Sequence, residues 1–267
     1  MTPDVIEIDR RQHVATVWLN RPDKLNAFNQ AMWSALPAAI ETLEQDGTTR
    51  VVVIAGRGRA FTAGIDLNDL ASFPVGSDVA GRIDVYQEIR RLQGAFSALA
   101  DTPLPVIAAI HGHCIGAGVD LITAADIRLA ATDAVFSVRE TRLGMIADVG
   151  TMQRLPRLIA PGHVAELTLT GRDITAAEAE RIGLVNHVYP DQAALLEATN
   201  ALADEITANS PLVTRGIKQV LQAGANRSVG EALDYMALWN AAFLNSNDFA
   251  EGISAAAQRR SPGFEGT

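Results

Sequence analysis

Two short segments of the chain are apolar at almost every position, and this feature limits most strongly the folds that the sequence can adopt. They are "RVVVIAG", which ends at Gly56, and "PLPVIAAIHG", which ends at Gly112. A strand that is buried on both faces is continuously apolar, whereas a half-solvated strand alternates apolar and polar residues. Segments with helical periodicity separate such strands along the chain. The sequence therefore predicts an α/β fold built in layers.

Further elements follow from local patterns. The segments "VIEID" and "HVATVWL" are short β-rich runs that are expected to pair as a hairpin, and "ADIRLAA" alternates like another strand. The segment "QAMWSALPAAIETLEQ" has helical periodicity, which we expect Pro37 to interrupt. After about residue 190 the pattern becomes purely helical. We therefore predict a core at residues 1–190, which contains the site, and a C-terminal helical region at residues 191–267.

The C-terminal region shows more apolar surface than peripheral helices usually carry. "PLVTRGIKQVLQAGA" and "SVGEALDYMALWNAAFLNS" place Leu, Met, Trp and Phe at helical spacing. This surface either packs on the core of the same chain or forms an interface between subunits.

Composition excludes some classes of partner and compartment. The chain has 267 residues, 22 of them basic and 31 acidic, and its net charge of −9 argues against nucleic acid or an anionic membrane as the main partner. Cys114 is the single cysteine, so no disulfide can form within the chain and a cytoplasmic location is the simplest expectation. Lysine occurs only at Lys24 and Lys218 while arginine is plentiful, which hints at a bacterial source.

Glycine-rich loops follow both of the buried strands. The first loop reads "GRGRAFTAGIDL" and the second reads "GHCIGAGVDL". Glycine permits tight turns and a close approach of backbone to ligand. Two such loops side by side would aim one backbone N–H each at a single oxygen and form an oxyanion hole. The alternative is that both are ordinary turns between a strand and a helix.

Other site motifs are incomplete in this sequence. "GRGRAF" lacks the third glycine of a dinucleotide-binding loop, and no G-x-S-x-G nucleophile motif occurs. His111, His113 and Cys114 lie close together, but no second cluster at ligand spacing completes a metal site. We therefore expect no bound metal.

Three carboxylates stand in apolar or glycine-rich surroundings within thirty residues: Asp120, Glu140 and Asp148. Burying an ionised carboxylate is costly unless it is paired. Each acid has a structural explanation as well as a catalytic one. Asp148 would cap the helix that follows it. Glu140 would pair with Arg139, Arg142 or a distant arginine on the surface, and Asp120 would form an ion pair such as one with Arg128.

Several blocks of the sequence, taken together, resemble one family. "LNRPDKLNAFN", "RAFTAGIDL", "HGHCIGAGVDLITAADIRLA" and "GTMQRLPRLIAPGHVAELTLTGRDITAAEAERIGLVN" are closely similar to the crotonase (enoyl-CoA hydratase/isomerase) superfamily, in the same order and from about residue 13 to 190. The resemblance implies a spiral of repeated ββα units followed by helices that build a homotrimer or a hexamer. It also implies an acyl-CoA thioester as substrate and no separate cofactor.

The resemblance assigns roles to particular positions. It places the thioester oxygen between the backbone N–H groups of Ile65 and Ala117, and alanine stands where family members commonly have glycine. It places the CoA portion along Ala63, Asp66 and Leu67. Lys24, Arg21 and Lys218 are candidate contacts for the CoA phosphates, and ordinary surface charge is an equal alternative for each of them.

The three acids distinguish branches of the family. Hydratases of this family use two glutamates to hold water, and here those positions are Asp120 and Glu140. Asp148 stands where hydratases usually have glycine, and the trio resembles the dienoyl-CoA isomerase branch, which moves double bonds from the 3,5 to the 2,4 positions. The resemblance makes Glu140 the base at C2 and Asp148 the acid at C6, with Asp120 tuning the pair. The alternatives are an enoyl-CoA hydratase and a non-catalytic CoA- or RNA-binding homologue.

Overall fold

The computed structural model describes residues 4–71, 73 and 76–267. Its main layer is a six-stranded sheet in the order β1-β2-β3-β4-β6-β9, and a second sheet has the order β5-β7-β8. The strands are β1 (Ile6–Arg11), β2 (Val14–Leu19), β3 (Val51–Gly56), β4 (Val106–Ile110), β5 (His113–Ile115), β6 (Ile127–Ala131), β7 (Val135–Ser137), β8 (Ile174–Thr175) and β9 (His187–Tyr189).

The pairing of the strands follows the sequence patterns closely. β1 and β2 form the predicted antiparallel hairpin, with Ile6 opposite Leu19. From β2 onward the six-stranded sheet is parallel, through β3, β4, β6 and β9. β3 and β4 are the two continuously apolar segments, and every residue in both strands is buried. The layered α/β architecture is therefore present as predicted.

The chain winds as a spiral because three strands of the large sheet, β3, β4 and β6, are each followed by a short segment that runs beside the corresponding segments of the other two. β4 leads into β5 and β6 leads into β7, and β5 and β7 pair in parallel in the second sheet. The loop after β3 joins the same layer through a bridge between Thr62 and Cys114. The ends of successive turns are thereby stacked next to one another, and the glycine-rich loops lie at these ends.

Eleven α-helices complete the part of the chain that the structure describes. They are α1 (Gln30–Gln45), α2 (Leu67–Ala71), α3 (Val79–Asp101), α4 (Ala117–Thr123), α5 (Thr151–Arg154), α6 (Pro161–Thr170), α7 (Ala176–Arg181), α8 (Gln192–Thr207), α9 (Pro211–Gly224), α10 (Val229–Phe243) and α11 (Asn247–Gln258). Short 3₁₀ helices span Pro22–Lys24, Glu140–Leu143 and Leu155–Arg157.

The expected interruption of the first helix was wrong, because α1 continues through Pro37. An internal proline costs a helix roughly 3 kcal/mol. Leu36 and Ile40, on either side of the proline, are almost completely buried. Each such side chain contributes about 1.5–3 kcal/mol on burial, so packing on both sides of the proline outweighs the lost backbone bond.

The main sheet is covered on both faces, which explains why its central strands lack polar residues. Alternate residues of β3 point in opposite directions, so Val52 and Ile54 join the larger apolar cluster while Val51 and Val53 join the smaller one. α8 covers the second face, where Leu195 and Ala203 pack against β3, β4 and β6. The predicted boundary at residue 190 thus precedes a helix that packs on the sheet of the core.

The last three helices leave much apolar surface uncovered. Leu221, Leu233 and Leu238 are among the most exposed large side chains, at 64–71% exposure. A groove of about 740 Å³ lies between α9, α10 and α11 and includes Trp239 and Phe249 in its lining. Among the residues that the structure describes, no helix combines the length and apolar character needed to cross a membrane.

Lys218 is a structural cation of the C-terminal region and is not available to a phosphate. Its side chain is 5% exposed, donates to the carbonyls of Leu99 and Leu104 at 3.0 Å each, and pairs with Asp126 at 2.8 Å. Burial lowers the pKa of the Lys218 ammonium, and Asp126 opposes that shift. The possible role of Lys218 in holding CoA was wrong for this geometric reason.

We predict that Lys218→Met lowers the free energy of unfolding by about 2–3 kcal/mol, because it leaves two carbonyls and a carboxylate without their donor. Lys24→Met is the matched control, since Lys24 is exposed and is the only other lysine. Its effect is expected to stay within about 0.5 kcal/mol. Urea unfolding of both variants measures the difference, and equal stabilities would contradict the assigned role of Lys218.

Candidate active site

A cavity of about 550 Å³ opens between the glycine-rich loops, α3 and the segment that contains two of the acids. Every predicted site residue except Asp120 lines it. The cavity is lined by Lys24, Ala27, Trp33, Ala63, Gly64, Ile65, Asp66, Leu67, Leu70, Phe73, Leu92, Ile115, Gly116, Ala117, Arg139, Glu140, Leu143, Met145, Asp148 and Val149. Most of these side chains are apolar, so the few polar groups stand in a poorly hydrated environment.

The two glycine-rich loops lie side by side in this cavity. Gly64 has φ +96°, and a Cβ atom built on it would lie 2.7 Å from the carbonyl oxygen of Ile115 and 3.5 Å from the backbone nitrogen of Ala117. A larger residue at Gly64 would push the loops apart. Glycine is therefore required here both by its backbone conformation and by the close approach of the second loop.

The backbone N–H groups of Ile65 and Ala117 are free to bind a ligand atom. The N–H groups beside Ile65 are used, since Gly64 donates to Thr62 and Asp66 donates to Phe28. Among the described residues, no acceptor is present for the N–H of Ile65. Ala117 is the first residue of α4, where an N–H has no partner inside the helix. Both residues line the same cavity, so their N–H groups are candidate donors to a ligand oxygen.

Glu140 lies next to this pair of donors. It begins the 3₁₀ helix that follows β7, and a Cβ atom built on Gly116 would lie 3.1 Å from its Oε1 atom. Its Oε2 atom is buried and accepts no hydrogen bond from any described residue. Burial raises the pKa of the Glu140 carboxyl, and the nearby charge of Asp148 adds to that shift. A carboxylate held in this way is suited to accept a proton from a ligand.

Asp148 is the second acid of the pair in the cavity lining and is half-buried. Burial raises the pKa of its carboxyl. The following helix, α5, has Gly150 at its N-cap, so the structural alternative in which Asp148 caps it was wrong. Asp148 instead shares the cavity lining with Glu140.

Asp120, unlike Glu140 and Asp148, is not part of the cavity lining. It is fully buried on α4. Its Oδ1 atom accepts the N–H of Thr151 at the start of α5, while its Oδ2 atom accepts no hydrogen bond among the described residues. Burial and the neighbouring Glu140 raise the pKa of Asp120 to about 7. It is thus Asp120, in place of Asp148, that binds the N-terminus of α5.

The raised pKa of Asp120 predicts how stability depends on pH. Between its ordinary value of 3.8 and about 7 the folded chain holds this proton more tightly than the unfolded chain does. The free energy of unfolding therefore falls as the pH rises through that interval. In an Asp120→Asn variant the amide oxygen still accepts the Thr151 N–H, but the side chain cannot ionise. In urea unfolding we expect the free energy of unfolding of the variant to be about 1–3 kcal/mol higher than that of the wild type at pH 8. Near pH 4 we expect the two values to be equal. A constant difference between those pH values would contradict this.

The ion pairs proposed as structural alternatives for the acids do not form. Arg128 donates to the carbonyls of Leu184 and Ala125. Arg139 pairs with Asp173, and Arg142 donates to the carbonyl of Thr170. None of these three arginines is therefore a cationic partner of the three acids.

The residues predicted to hold the CoA portion belong to the cavity lining. Ala63, Asp66 and Leu67 line it on the first glycine loop, and Lys24 is exposed at its edge. The Asp66 carboxylate is engaged by Arg21 at 3.0 Å and by the N–H of Asn68 at 3.1 Å. Burial opposes its ionisation, but these hydrogen bonds and the charge of Arg21 lower the pKa of Asp66 overall. Arg21 therefore fixes the loop, and its guanidinium is already occupied.

Helix α3 forms a wall of the site that the sequence pattern did not predict. α3 contributes Leu92 to the lining, and its Gln93 side chain donates to the backbone carbonyl of Asp148 at 2.7 Å. Asp78 caps this helix through the N–H of Gly81, which is a sequence signal that could have located its start. Trp33, Phe73 and the other apolar lining residues carry no local signal that separates them from the core.

His111 and Cys114 serve the packing of the core. His111 binds the carbonyl oxygen of Gly58 at 2.9 Å, and Cys114 is fully buried, which raises the pKa of its thiol. Within residues 4–71, 73 and 76–267, no group of three or more His, Cys, Asp and Glu side chains is placed to hold a metal ion.

Comparison with known proteins adds to this geometry. The sequence model of the enoyl-CoA hydratase/isomerase family matches residues 9–267. The chain is 46% identical over 256 residues to the mitochondrial Delta(3,5)-Delta(2,4)-dienoyl-CoA isomerase of Rattus norvegicus, covering 94% of this chain and 78% of the relative. It is 40% identical to the peroxisomal Delta(3,5)-Delta(2,4)-dienoyl-CoA isomerase of Arabidopsis thaliana, covering 97% of this chain and 96% of the relative.

A solved structure matches the fold over nearly the whole chain. The crystal structure of an enoyl-CoA hydratase from Bacillus anthracis superposes with a TM-score of 0.90 at 32% identity, covering 98% of this chain and 99% of that one. The predicted spiral fold is confirmed by this match, and the predicted resemblance to the dienoyl-CoA isomerase branch is confirmed by the relatives above.

Proposed function

The chain belongs to the enoyl-CoA hydratase/isomerase family, and we propose that it is a dienoyl-CoA isomerase that converts a 3,5-dienoyl-CoA to the 2,4-dienoyl-CoA. The observation that carries the proposal is the placement of two carboxyl groups, Glu140 and Asp148, in one apolar cavity beside two free backbone N–H groups. The similarity to isomerases of the same specificity supports the choice of reaction.

The reaction moves one proton away from C2 and adds one at C6. Glu140 is the base that accepts the proton from C2, next to the thioester. The electron pair of that C–H bond moves through the conjugated chain and places negative charge on the thioester oxygen. The N–H groups of Ile65 and Ala117 stabilise this charge as it develops, which lowers the barrier.

Asp148 then donates a proton to C6, and the double bonds come to rest at the 2 and 4 positions. C2 is formally oxidised and C6 is formally reduced by the same amount, so the isomerisation has no net oxidation or reduction. The chemistry therefore requires no redox cofactor, and CoA is part of the substrate. The raised pKa of Asp148 keeps its carboxyl protonated at higher pH than an ordinary aspartate, as an acid catalyst needs. Asp120 lies behind the pair, and its role in the proposal is electrostatic.

An ultraviolet assay of the purified protein with two substrates tests the proposal. The product of isomerisation is conjugated with the thioester carbonyl and the 3,5-diene is not, so the absorption moves to longer wavelength. We expect rapid conversion of a 3,5-dienoyl-CoA and little hydration of a 2-enoyl-CoA. Rapid hydration without isomerisation would instead support the enoyl-CoA hydratase alternative.

The remaining alternative, a non-catalytic homologue that binds CoA or RNA, fits the site less well. Retaining buried carboxyl groups without cationic partners costs stability, and a binding function gains nothing from them. The net charge of −9 disfavours a nucleic-acid ligand. The assay with the 3,5-dienoyl-CoA also distinguishes this alternative from the isomerase, because a non-catalytic homologue would not convert the substrate.

The C-terminal helices are proposed to join copies of the chain into a homotrimer or a hexamer. Large exposed apolar surfaces are typical of subunit interfaces, and the groove between α9, α10 and α11 provides one. This is the second of the two explanations that the sequence left open. Sedimentation measurements of the purified chain give the number of copies directly.

A cytoplasmic location and a bacterial source remain predictions from composition. The lone, buried Cys114 is compatible with a reducing compartment. Relatives are described as mitochondrial and as peroxisomal, so the compartment differs within this branch.

A further inference from the structure

Helix α3 holds two consecutive backbone carbonyls of the segment that carries Asp148. The amide nitrogen of Gln93 donates to the carbonyl of Asp148 at 2.7 Å. The guanidinium of Arg154 donates to the carbonyl of Val149 at 3.4 Å and to the Ser97 hydroxyl on α3 at 3.0 Å. The segment is thereby connected to α3 through three side chains.

These contacts have a defined geometry on the helix. Gln93 and Ser97 are four residues apart, so both lie on the same face of α3. The guanidinium of Arg90 donates to Oε1 of Gln93 at 2.8 Å, which orients the amide so that its nitrogen faces the carbonyl of Asp148. The donor at this carbonyl is thus fixed by a second hydrogen bond.

Gly150 makes room for the guanidinium of Arg154. A Cβ atom built on Gly150 would lie 2.0 Å from Nη1 of Arg154, and the φ of Gly150 is +140°. The guanidinium of Arg154 therefore lies against the backbone of the segment from Asp148 to Gly150. The position of this segment decides where the Asp148 carboxyl lies in the cavity.

We propose that Gln93, Ser97 and Arg154 are positioning residues that hold the Asp148 carboxyl at the distance from Glu140 that C6 protonation requires. None of the three lines the cavity, so they act through Asp148 and do not touch the substrate. The inference rests on the proposed isomerase function and adds residues to it. Displacement of a catalytic group by about 1 Å can reduce the rate about 100-fold.

The test compares two steps of the same reaction in D₂O. Removal of the C2 proton by Glu140 is measured as exchange of deuterium into the remaining 3,5-dienoyl-CoA, and C6 protonation is measured as formation of the 2,4-dienoyl-CoA. Gln93→Leu removes the donor to Asp148, and Ser97→Ala removes only the hydroxyl partner of Arg154. Gln87→Leu is the matched control, because Gln87 is an exposed glutamine of the same helix.

We expect the rate of isomerisation to fall about 10-fold in Gln93→Leu and about 100-fold in the double variant that combines Gln93→Leu with Ser97→Ala, while KM stays unchanged. The ratio of C2 exchange to isomerisation rises by the same factors, whereas a loss of folded enzyme would lower both rates equally. Arg154→Lys, which keeps the charge but not the fork of donors, is expected to resemble Ser97→Ala.

Isomerisation in Gln93→Leu equal to that in Gln87→Leu would overturn the positioning role. An unchanged ratio with both rates reduced would also overturn it, since it indicates a general structural effect. Failure of the wild type to isomerise the 3,5-diene would refute the proposed function itself, so the two failures are distinguishable.

Discussion

Asp148→Asn is expected to reduce the rate of 3,5-dienoyl-CoA isomerisation by about 10³-fold or more, because an amide cannot donate a proton to C6 as a carboxylic acid does. The substitution keeps the size of the side chain, so the cavity and the binding of the acyl chain should persist. KM is therefore expected to change little while kcat falls.

The contrast between the two proton transfers makes this prediction specific. In Asp148→Asn the C2 proton should still exchange with D₂O, since Glu140 and the N–H groups of Ile65 and Ala117 are untouched. Asp133→Asn is the matched control, because Asp133 is exposed and lies away from the cavity. A variant that isomerises at the rate of the control would show that Asp148 takes no part in the chemistry.

Glu140→Gln is expected to reduce isomerisation by about 10²- to 10⁴-fold, the range in which general bases contribute. A Cβ atom built on Gly116, the residue before Ala117, would lie 3.1 Å from the Oε1 atom of Glu140. C2 exchange should disappear together with isomerisation, because the base for the first step is gone.

The two substitutions therefore differ in C2 exchange, which Asp148→Asn retains and Glu140→Gln loses. Glu197→Gln, on the exposed surface of α8, is the control for Glu140→Gln. If Glu140→Gln retained C2 exchange at the rate of this control, another group would be the base, and the proposed division of roles would be wrong.

The sequence predicted the core of the fold where burial on both sides of a segment leaves a clear pattern. β3 and β4 were recognisable because every residue in both is apolar, and the hairpin of β1 and β2 because their β-rich runs are adjacent. The continuation of α1 through Pro37 could not be seen in this way. It depends on tertiary packing of Leu36 and Ile40, which outweighs a local preference.

The missed helix α3 shows a second limit. Only its C-terminal half is buried, at Leu92, Ala95, Phe96 and Leu99, while Val79, Ile83 and Tyr86 on the N-terminal half are exposed. A helix with apolar residues on both its buried and its exposed sides gives a weak periodic signal. Because α3 was not recognised, neither the wall that it forms in the site nor the contact of Gln93 with Asp148 could be predicted.

Resemblance to the family supplied residues of the site but not how each side chain is oriented. Asp120 follows a glycine loop as the pattern implies, yet it lies behind the cavity and binds the N-terminus of α5. Lys218 carries the same charge as Lys24, and only the tertiary structure shows that it is buried against Asp126. Spacing along the chain fixes neither burial nor the direction of a side chain.

The central claim is that two separate carboxyl groups transfer protons at opposite ends of the diene, and the position of deuterium in the product tests it most directly. The wild-type protein is equilibrated in D₂O and allowed to convert a 3,5-dienoyl-CoA once, and the product is examined by NMR. The proposed mechanism predicts one deuterium at C6, delivered from Asp148. A 2,4-dienoyl-CoA with undeuterated C6 would mean that a single group carries the proton from C2 to C6, and the two-carboxylate mechanism would be wrong.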